Sequence, residues 1–99
     1  MPQRRWIEYA GSLANQVFTL PANVSRRAVV LANNSGDLPM MYRVGDEPAT
    51  AVLGIPLEPG RPVALDGDLC PDGDVTLYCA GSGGSPNVGG AFTCYEIVS

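Results

Sequence analysis

The sequence predicts an all-β domain, a small two-sheet β-sandwich or a jelly-roll-like barrel of six to eight short strands. Twelve Gly and nine Pro are scattered between short apolar runs, so no uninterrupted window is long enough for a long helix. The apolar runs are separated by turn residues about every ten positions, which is typical of sandwiches and small barrels. With 99 residues the chain can build one hydrophobic core.

The first 15 residues form either an N-terminal arm or a first edge strand, and residues 16–99 form the sandwich domain. Arg4, Arg5, Trp6 and Tyr9 lie together in this first segment. Trp, Tyr and Arg are the usual anchors of protein–protein interfaces, which favours a partner-binding segment. The alternation in RWIEY fits an ordinary edge strand equally well.

The next strand is predicted over Gln16–Leu20, and Pro21 ends it because proline has no N–H to donate. Alternation along this strand places Phe18 and Leu20 on one face, which we expect to be the core face.

The stretch from Ser25 to Gly45 is the central element of the predicted fold. Two apolar runs, centred on Ala28–Ala32 and on Met40–Val44, flank the turn-forming residues Asn34–Asp37. This pattern predicts two strands joined as a hairpin. The run Ala28–Ala32 is apolar on both faces, as expected for a central strand that is covered on both sides or that faces a partner.

The remaining chain contains four predicted strands that are bounded by proline or glycine. Pro56, Pro59 and Pro62 predict a strand, a tight turn and a second strand at a sheet boundary. Val75–Ala80 and Ala91–Val98 are predicted to form the last two strands, as a hairpin across a glycine-rich loop.

Charge and residue types exclude several classes of function. The chain has six Arg, no Lys and ten acidic residues, and a net charge of −4 disfavours binding to nucleic acid. Without His, the commonest general base is missing, and the sequence predicts no catalytic residue and no cofactor. No apolar run approaches the length of a membrane helix, which is about 18 residues, and no secretory signal is visible, so we expect a chain made in the cytoplasm that binds no membrane.

Two clusters were considered as metal or redox sites. Four carboxylates lie within Asp66–Asp74, but their order differs from that of an EF-hand, and two Asp-Gly turns explain them without a metal. Cys70, Cys79 and Cys94 are expected to be free thiols, with a cross-strand pair of Cys79 and Cys94 left open. We therefore predict no metal site.

A set of short motifs resembles a group of small β proteins encoded in the structural gene clusters of tailed bacteriophages. The motifs are Arg26-Arg27-x-Val29-Val30-Leu31-x-Asn33-Asn34-Ser35, Pro39-Met40-Met41-Tyr42-Arg43-Val44-Gly45, Ile55-Pro56-Leu57-Glu58-Pro59-Gly60 and a closing strand from Phe92 to Glu96. The resemblance implies a virion component without catalytic residues, namely a capsid decoration or cement protein that binds the major capsid protein or another virion protein. We expect Arg4, Arg5, Trp6 and Tyr9 to contribute to docking, with Arg26 and Arg27 as second choices.

Several alternatives remain open at this point. The chain could instead be a head–tail connector or tail accessory protein, a carbohydrate-binding module, or an inhibitor of a host enzyme. A homo-trimer would suit a three-fold position of a shell, and a monomer would suit one copy per capsid subunit.

Overall fold

The computed structural model describes residues 5–99, and its only helical element in that range is one 3-10 turn, Gly67–Leu69. The strands are β1 (Arg5–Leu13), β2 (Gln16–Leu20), β3 (Arg26–Asn33), β4 (Met40–Val44), β5 (Ile55–Leu57), β6 (Val63–Asp66), β7 (Val75–Cys79) and β8 (Gly90–Val98). The predicted all-β fold class is therefore confirmed. No helix among the described residues has the length and hydropathy needed to cross a membrane.

The strands form two antiparallel sheets of four strands each. Sheet I has the order β1-β8-β3-β6, and sheet II has the order β2-β7-β4-β5. Most strands that follow one another in sequence lie in opposite sheets. This crossing pattern, with eight strands in two packed sheets, is the connectivity of a jelly roll.

The predicted hairpin across Ser25–Gly45 is wrong, because β3 belongs to sheet I and β4 to sheet II. Both strands exist, but the chain crosses the sandwich between them. The buried Asn33 side chain holds this crossing: its Nδ2 donates to the carbonyl oxygens of Leu38 at 2.8 Å and of Leu57 at 3.0 Å. The polar turn therefore closes one end of the sandwich.

The predicted hairpin of the last two strands is also wrong. β8 lies between β1 and β3, while β7 lies between β2 and β4 in the other sheet. The glycine-rich loop between them folds around Asn87, whose Oδ1 accepts from Gly83 N at 2.8 Å and whose Nδ2 donates to Ala80 O at 3.1 Å. The loop thus carries the chain across the sandwich.

The prolines mark sheet edges as predicted. β5 and β6 are edge strands of sheet II and sheet I, respectively, and the turn between them closes with Arg61 N donating to Glu58 O at 3.2 Å. Gly60 lies in this turn with a φ of 75°, a conformation that favours glycine.

The core lies between the two sheets. Leu20 is fully buried, and the Phe18 ring packs 4.9 Å from that of Phe92, so the predicted core face of β2 is confirmed. The buried apolar cluster contains Leu13, Leu20, Val29, Leu31, Met40, Tyr42, Leu57, Val75, Leu77, Cys79, Phe92 and Cys94.

A buried ion pair closes the end of the sandwich opposite to Asn33. Arg26 Nε lies 2.8 Å from Glu96 Oε2, and both side chains are almost inaccessible to solvent. Arg26 Nη1 donates to the carbonyl oxygens of Pro71 at 2.7 Å and Gly73 at 2.8 Å, and Nη2 donates to that of Pro21. One guanidinium thus connects β3 and β8 to two loops.

The Arg26→Ala variant should lose about 3–5 kcal/mol of unfolding free energy, because it leaves the Glu96 carboxylate buried without its cation. Arg27→Ala is the matched control: Arg27 is exposed, and its loss should change stability by less than about 0.5 kcal/mol. Urea denaturation of the two variants measures the difference. Equal stabilities would show that the buried pair does not anchor the fold.

Candidate interaction surface

The structure distributes the predicted partner-binding residues over different environments. Arg4 lies outside the described residues. Arg5 and Trp6 lie on β1 at the edge of sheet I and are exposed, with 67% of Trp6 accessible. Arg27 is also exposed. These three residues remain candidates for contact with a partner.

The side chains of Tyr9 and Arg26 pack within the fold. The Tyr9 ring packs 5.7 Å from that of Phe18, against the core. The Arg26 guanidinium is buried with Glu96 and the loop carbonyls described above. Arg26 is therefore not accessible to a partner in this conformation, because a buried cation with satisfied hydrogen bonds presents nothing at the surface.

The outer face of sheet I carries many apolar side chains. The register of the four strands places side chains of this face in three rows. The rows are Trp6, Ile97, Ala28 and Asp66; Glu8, Tyr95, Val30 and Ala64; and Ala10, Thr93 and Ala32. The charged members, Glu8 and Asp66, lie on the two edge strands, and the middle of the face is uncharged.

The centre of this face is the outer side of β3. Val29 and Leu31 point into the core, while Ala28, Val30 and Ala32 are half-buried on the outside. All strands of residues 5–99 belong to the two sheets, so no third layer of strands covers this side. The sequence left open whether β3 is covered on both sides or faces a partner, and among the described residues the two sheets leave its outer side without a covering strand.

The outer face consists of four strands about 4.8 Å apart and three rows about 6.8 Å apart, which span about 400 Å² of sheet. Its exposed apolar area is smaller, because Ile97 is only 9% exposed, the outer residues of β3 are half-buried, and Glu8 and Asp66 are charged. Four small alanines, Ala10, Ala28, Ala32 and Ala64, keep much of the face flat.

An aromatic pair stands at one side of this face. The Trp6 and Tyr95 rings meet edge to face, with centroids 6.2 Å apart and an angle of 75° between the planes. Glu8, which lies opposite Tyr95 in the register, accepts a hydrogen bond from its hydroxyl and thereby raises the pKa of Tyr95. The sequence did not point to Tyr95, because β8 carries large side chains on both faces and its orientation depends on pairing.

A second apolar feature is a cavity of about 270 Å³ on the outer side of sheet II. Its walls are Pro39, Met41, Ala51, Tyr78 and Ala80. The segment containing Ala51 is held over the sheet because Ala49 N donates to Thr76 Oγ1 at 2.8 Å. The lining is almost entirely apolar, so the cavity has few groups that would select a particular ligand.

The two clusters considered as metal or redox sites are spread out in the structure. Within residues 5–99, no group of three or more Cys, Asp or Glu side chains is placed to hold a metal ion. Cys79 and Cys94 are buried free thiols on strands of opposite sheets, and Cys70 is a half-buried free thiol. Burial is the main cause that raises the pKa of Cys94 to about 11.

Comparison of the chain with models of protein families, with curated proteins and with solved structures finds no match. The likeness to phage structural proteins thus rests on the sequence motifs alone.

Stability should fall as the pH rises from about 9 to about 11, because the folded state keeps the Cys94 thiol protonated where the unfolded chain ionises it. Below pH 9 both states are protonated, and this contribution is fully present. At pH 11 its loss is of the order of 2 kcal/mol.

The stability difference between the wild type and Cys94→Ala, measured by urea denaturation, should therefore shrink over this range. Cys70→Ala removes a half-buried thiol whose pKa burial also raises, and its difference from the wild type should shrink by a smaller amount. A difference that stays constant from pH 8 to 11 would contradict the assignment.

Proposed function

We propose that this chain is a non-enzymatic virion structural protein, a capsid decoration or cement protein that binds the major capsid protein through the outer face of sheet I. The observation that carries the binding part of this proposal is the uncovered apolar face formed by β1, β8, β3 and β6. The motif resemblance described above carries the phage assignment. The jelly-roll connectivity is compatible with it, since viral capsid domains are among the proteins built on this fold.

The charges on the face indicate the chemistry of the partner surface. Glu8 and Asp66 lie at opposite margins of an uncharged centre, and the chain as a whole has a net charge of −4. The complementary surface has an apolar centre and cationic side chains at its margins. Such a partner surface would bury the uncharged middle of the face. Its cations would then lie next to Glu8 and Asp66 at the margins.

Trp6 is the expected anchor of this contact. It is 67% exposed and its ring is oriented by Tyr95, so its position is set before a partner binds. Large aromatic residues with little rotational freedom contribute disproportionately to binding. Repetition over many copies on a lattice would compensate for the modest area of each contact.

Purified particles from the phage or prophage that encodes the chain should contain it in hundreds of copies, of the order expected for a repeated shell site. Quantitative mass spectrometry, normalised to the major capsid protein, measures this number. About six to twelve copies would instead place it at the connector or tail. Absence from the particle would refute the virion assignment and favour the carbohydrate-binding or inhibitor alternatives.

The Trp6→Ser variant tests the face within the same experiment. It should lower occupancy on particles at least about tenfold, because it removes the exposed anchor. Val52→Ser removes an even more exposed apolar side chain, 83% accessible, on a loop outside sheet I, and should bind like the wild type. Equal occupancy of the two variants would exclude Trp6 from the contact.

A further inference from the structure

The open edge of β1 differs from the other three sheet edges. β2 has five residues and ends next to Pro21, β5 has three residues and contains Pro56, and β6 has four residues and follows Pro62. Short strands and prolines are two of the features that protect edges from pairing with other chains, and charged side chains such as Arg5 and Glu8 of β1 are another. β1 has nine residues, contains no proline, and pairs only with β8 among the described strands.

The hydrogen bonds of sheet I show which backbone groups of β1 face outward. Asn34 N donates to Ala91 O at 2.9 Å, so the backbone of Ala91 points from β8 toward β3. Because successive residues of a strand point their backbone groups to opposite sides, those of Phe92 and Cys94 point toward β1. They lie opposite Gly11 and Tyr9, which therefore bond to β8.

The intervening residues of β1 turn their N–H and C=O groups to the open edge. These residues are Trp6, Glu8, Ala10 and Ser12. A second antiparallel strand could pair with these four alternate residues through about eight hydrogen bonds.

We propose that two copies of this chain pair through β1, antiparallel and about a two-fold axis, so that two sheets I form one continuous eight-stranded sheet. In the register that centres on Tyr9, Trp6 lies opposite Ser12 of the second copy, and Glu8 lies opposite Ala10 of the second copy. All four outward residues are then paired.

Face, charge and the number of paired residues together select this register: an axis at Ala10 would place Trp6 opposite Ala14, which lies outside β1, and would leave Trp6 unpaired. If the register shifted by one residue, side chains of the outer face would lie opposite side chains that point into the core. Antiparallel pairing about a two-fold axis does not allow this arrangement. A shift that centres the axis on Glu8 places the two Glu8 carboxylates opposite each other, which is destabilising. The register centred on Tyr9 places no like charges in directly opposite positions within residues 5–13.

The dimer does not depend on the proposed function. It would join the two apolar outer faces side by side and double the surface available to any partner. A strand from a different protein is the competing occupant of the same edge, and it predicts a monomer for the isolated chain.

The test uses proline at outward positions of two edge strands. Ala10→Pro removes an N–H that faces the open edge of β1 and leaves the bonds to β8 intact. Ala64→Pro is the matched control: Ala64 lies opposite Val30, whose backbone points toward β8, so its N–H faces the open edge of β6. Sedimentation equilibrium over about a hundredfold concentration range measures the mass, and circular dichroism checks the fold.

We expect the wild type and Ala64→Pro to reach twice the chain mass as concentration rises, and Ala10→Pro to weaken dimerisation at least about a hundredfold. A wild type that stays monomeric over the whole range would overturn the proposal, and so would an Ala10→Pro variant that dimerises like the wild type.

Hydrogen exchange of the wild type gives a second test should Ala10→Pro fail to fold. The amides of Glu8 and Ala10 should become protected as the dimer forms, whereas that of Tyr9 should be protected throughout. Rapid exchange of Glu8 and Ala10 in the dimer would overturn the proposed edge.

Discussion

The buried guanidinium of Arg26 is the constraint on which the rest of the structure depends. Its partners come from β8, from the loop after β2 and from the loop before β7, segments that are distant in sequence. A cation in the interior is tolerated only when its charge and its N–H groups are satisfied. The arrangement of strands that satisfies Arg26 places β8 beside β3, and this pairing makes the centre of sheet I.

Asn33 has the corresponding role at the other end of the same strand. Its side chain accepts from Ser35 N at 3.0 Å and donates to the carbonyl of Leu38, which directs the chain out of sheet I and into sheet II. β3 is thus anchored by a polar side chain at each end, with Val29 and Leu31 in the core between them. Since these inner positions are set, the alternate residues Ala28, Val30 and Ala32 must form the outer face.

Local sequence signals predicted the strands well and their partners poorly. Prolines correctly placed β5 and β6 at sheet edges, and alternation correctly placed Phe18 and Leu20 toward the core. The turn after Asn33 has the same residue types whether the chain returns to its own sheet or crosses to the other, so two crossings were predicted as hairpins. Pairing depends on contacts between distant segments, which turn chemistry does not encode.

The same contrast between local sequence signals and contacts of distant segments applies to the candidate surface. The apolar character of β3 on both faces was visible in the sequence, and Trp6 was predicted to contact a partner, but its exposure follows only from the structure. Arg26 and Arg27 are adjacent and chemically identical, yet one is buried by Glu96, which lies 70 residues away, and the other is exposed. The sequence therefore predicted partner contacts for both arginines but could not separate an exposed side chain from a group that holds the fold together.

The most direct test of the central claim is a cryo-electron microscopy map of particles that carry this chain. We expect the outer face of sheet I, with Trp6 and Val30, to lie against the capsid protein and sheet II to face away from it. A map in which that face is open to solvent, while sheet II or the loops contact the shell, would contradict the account.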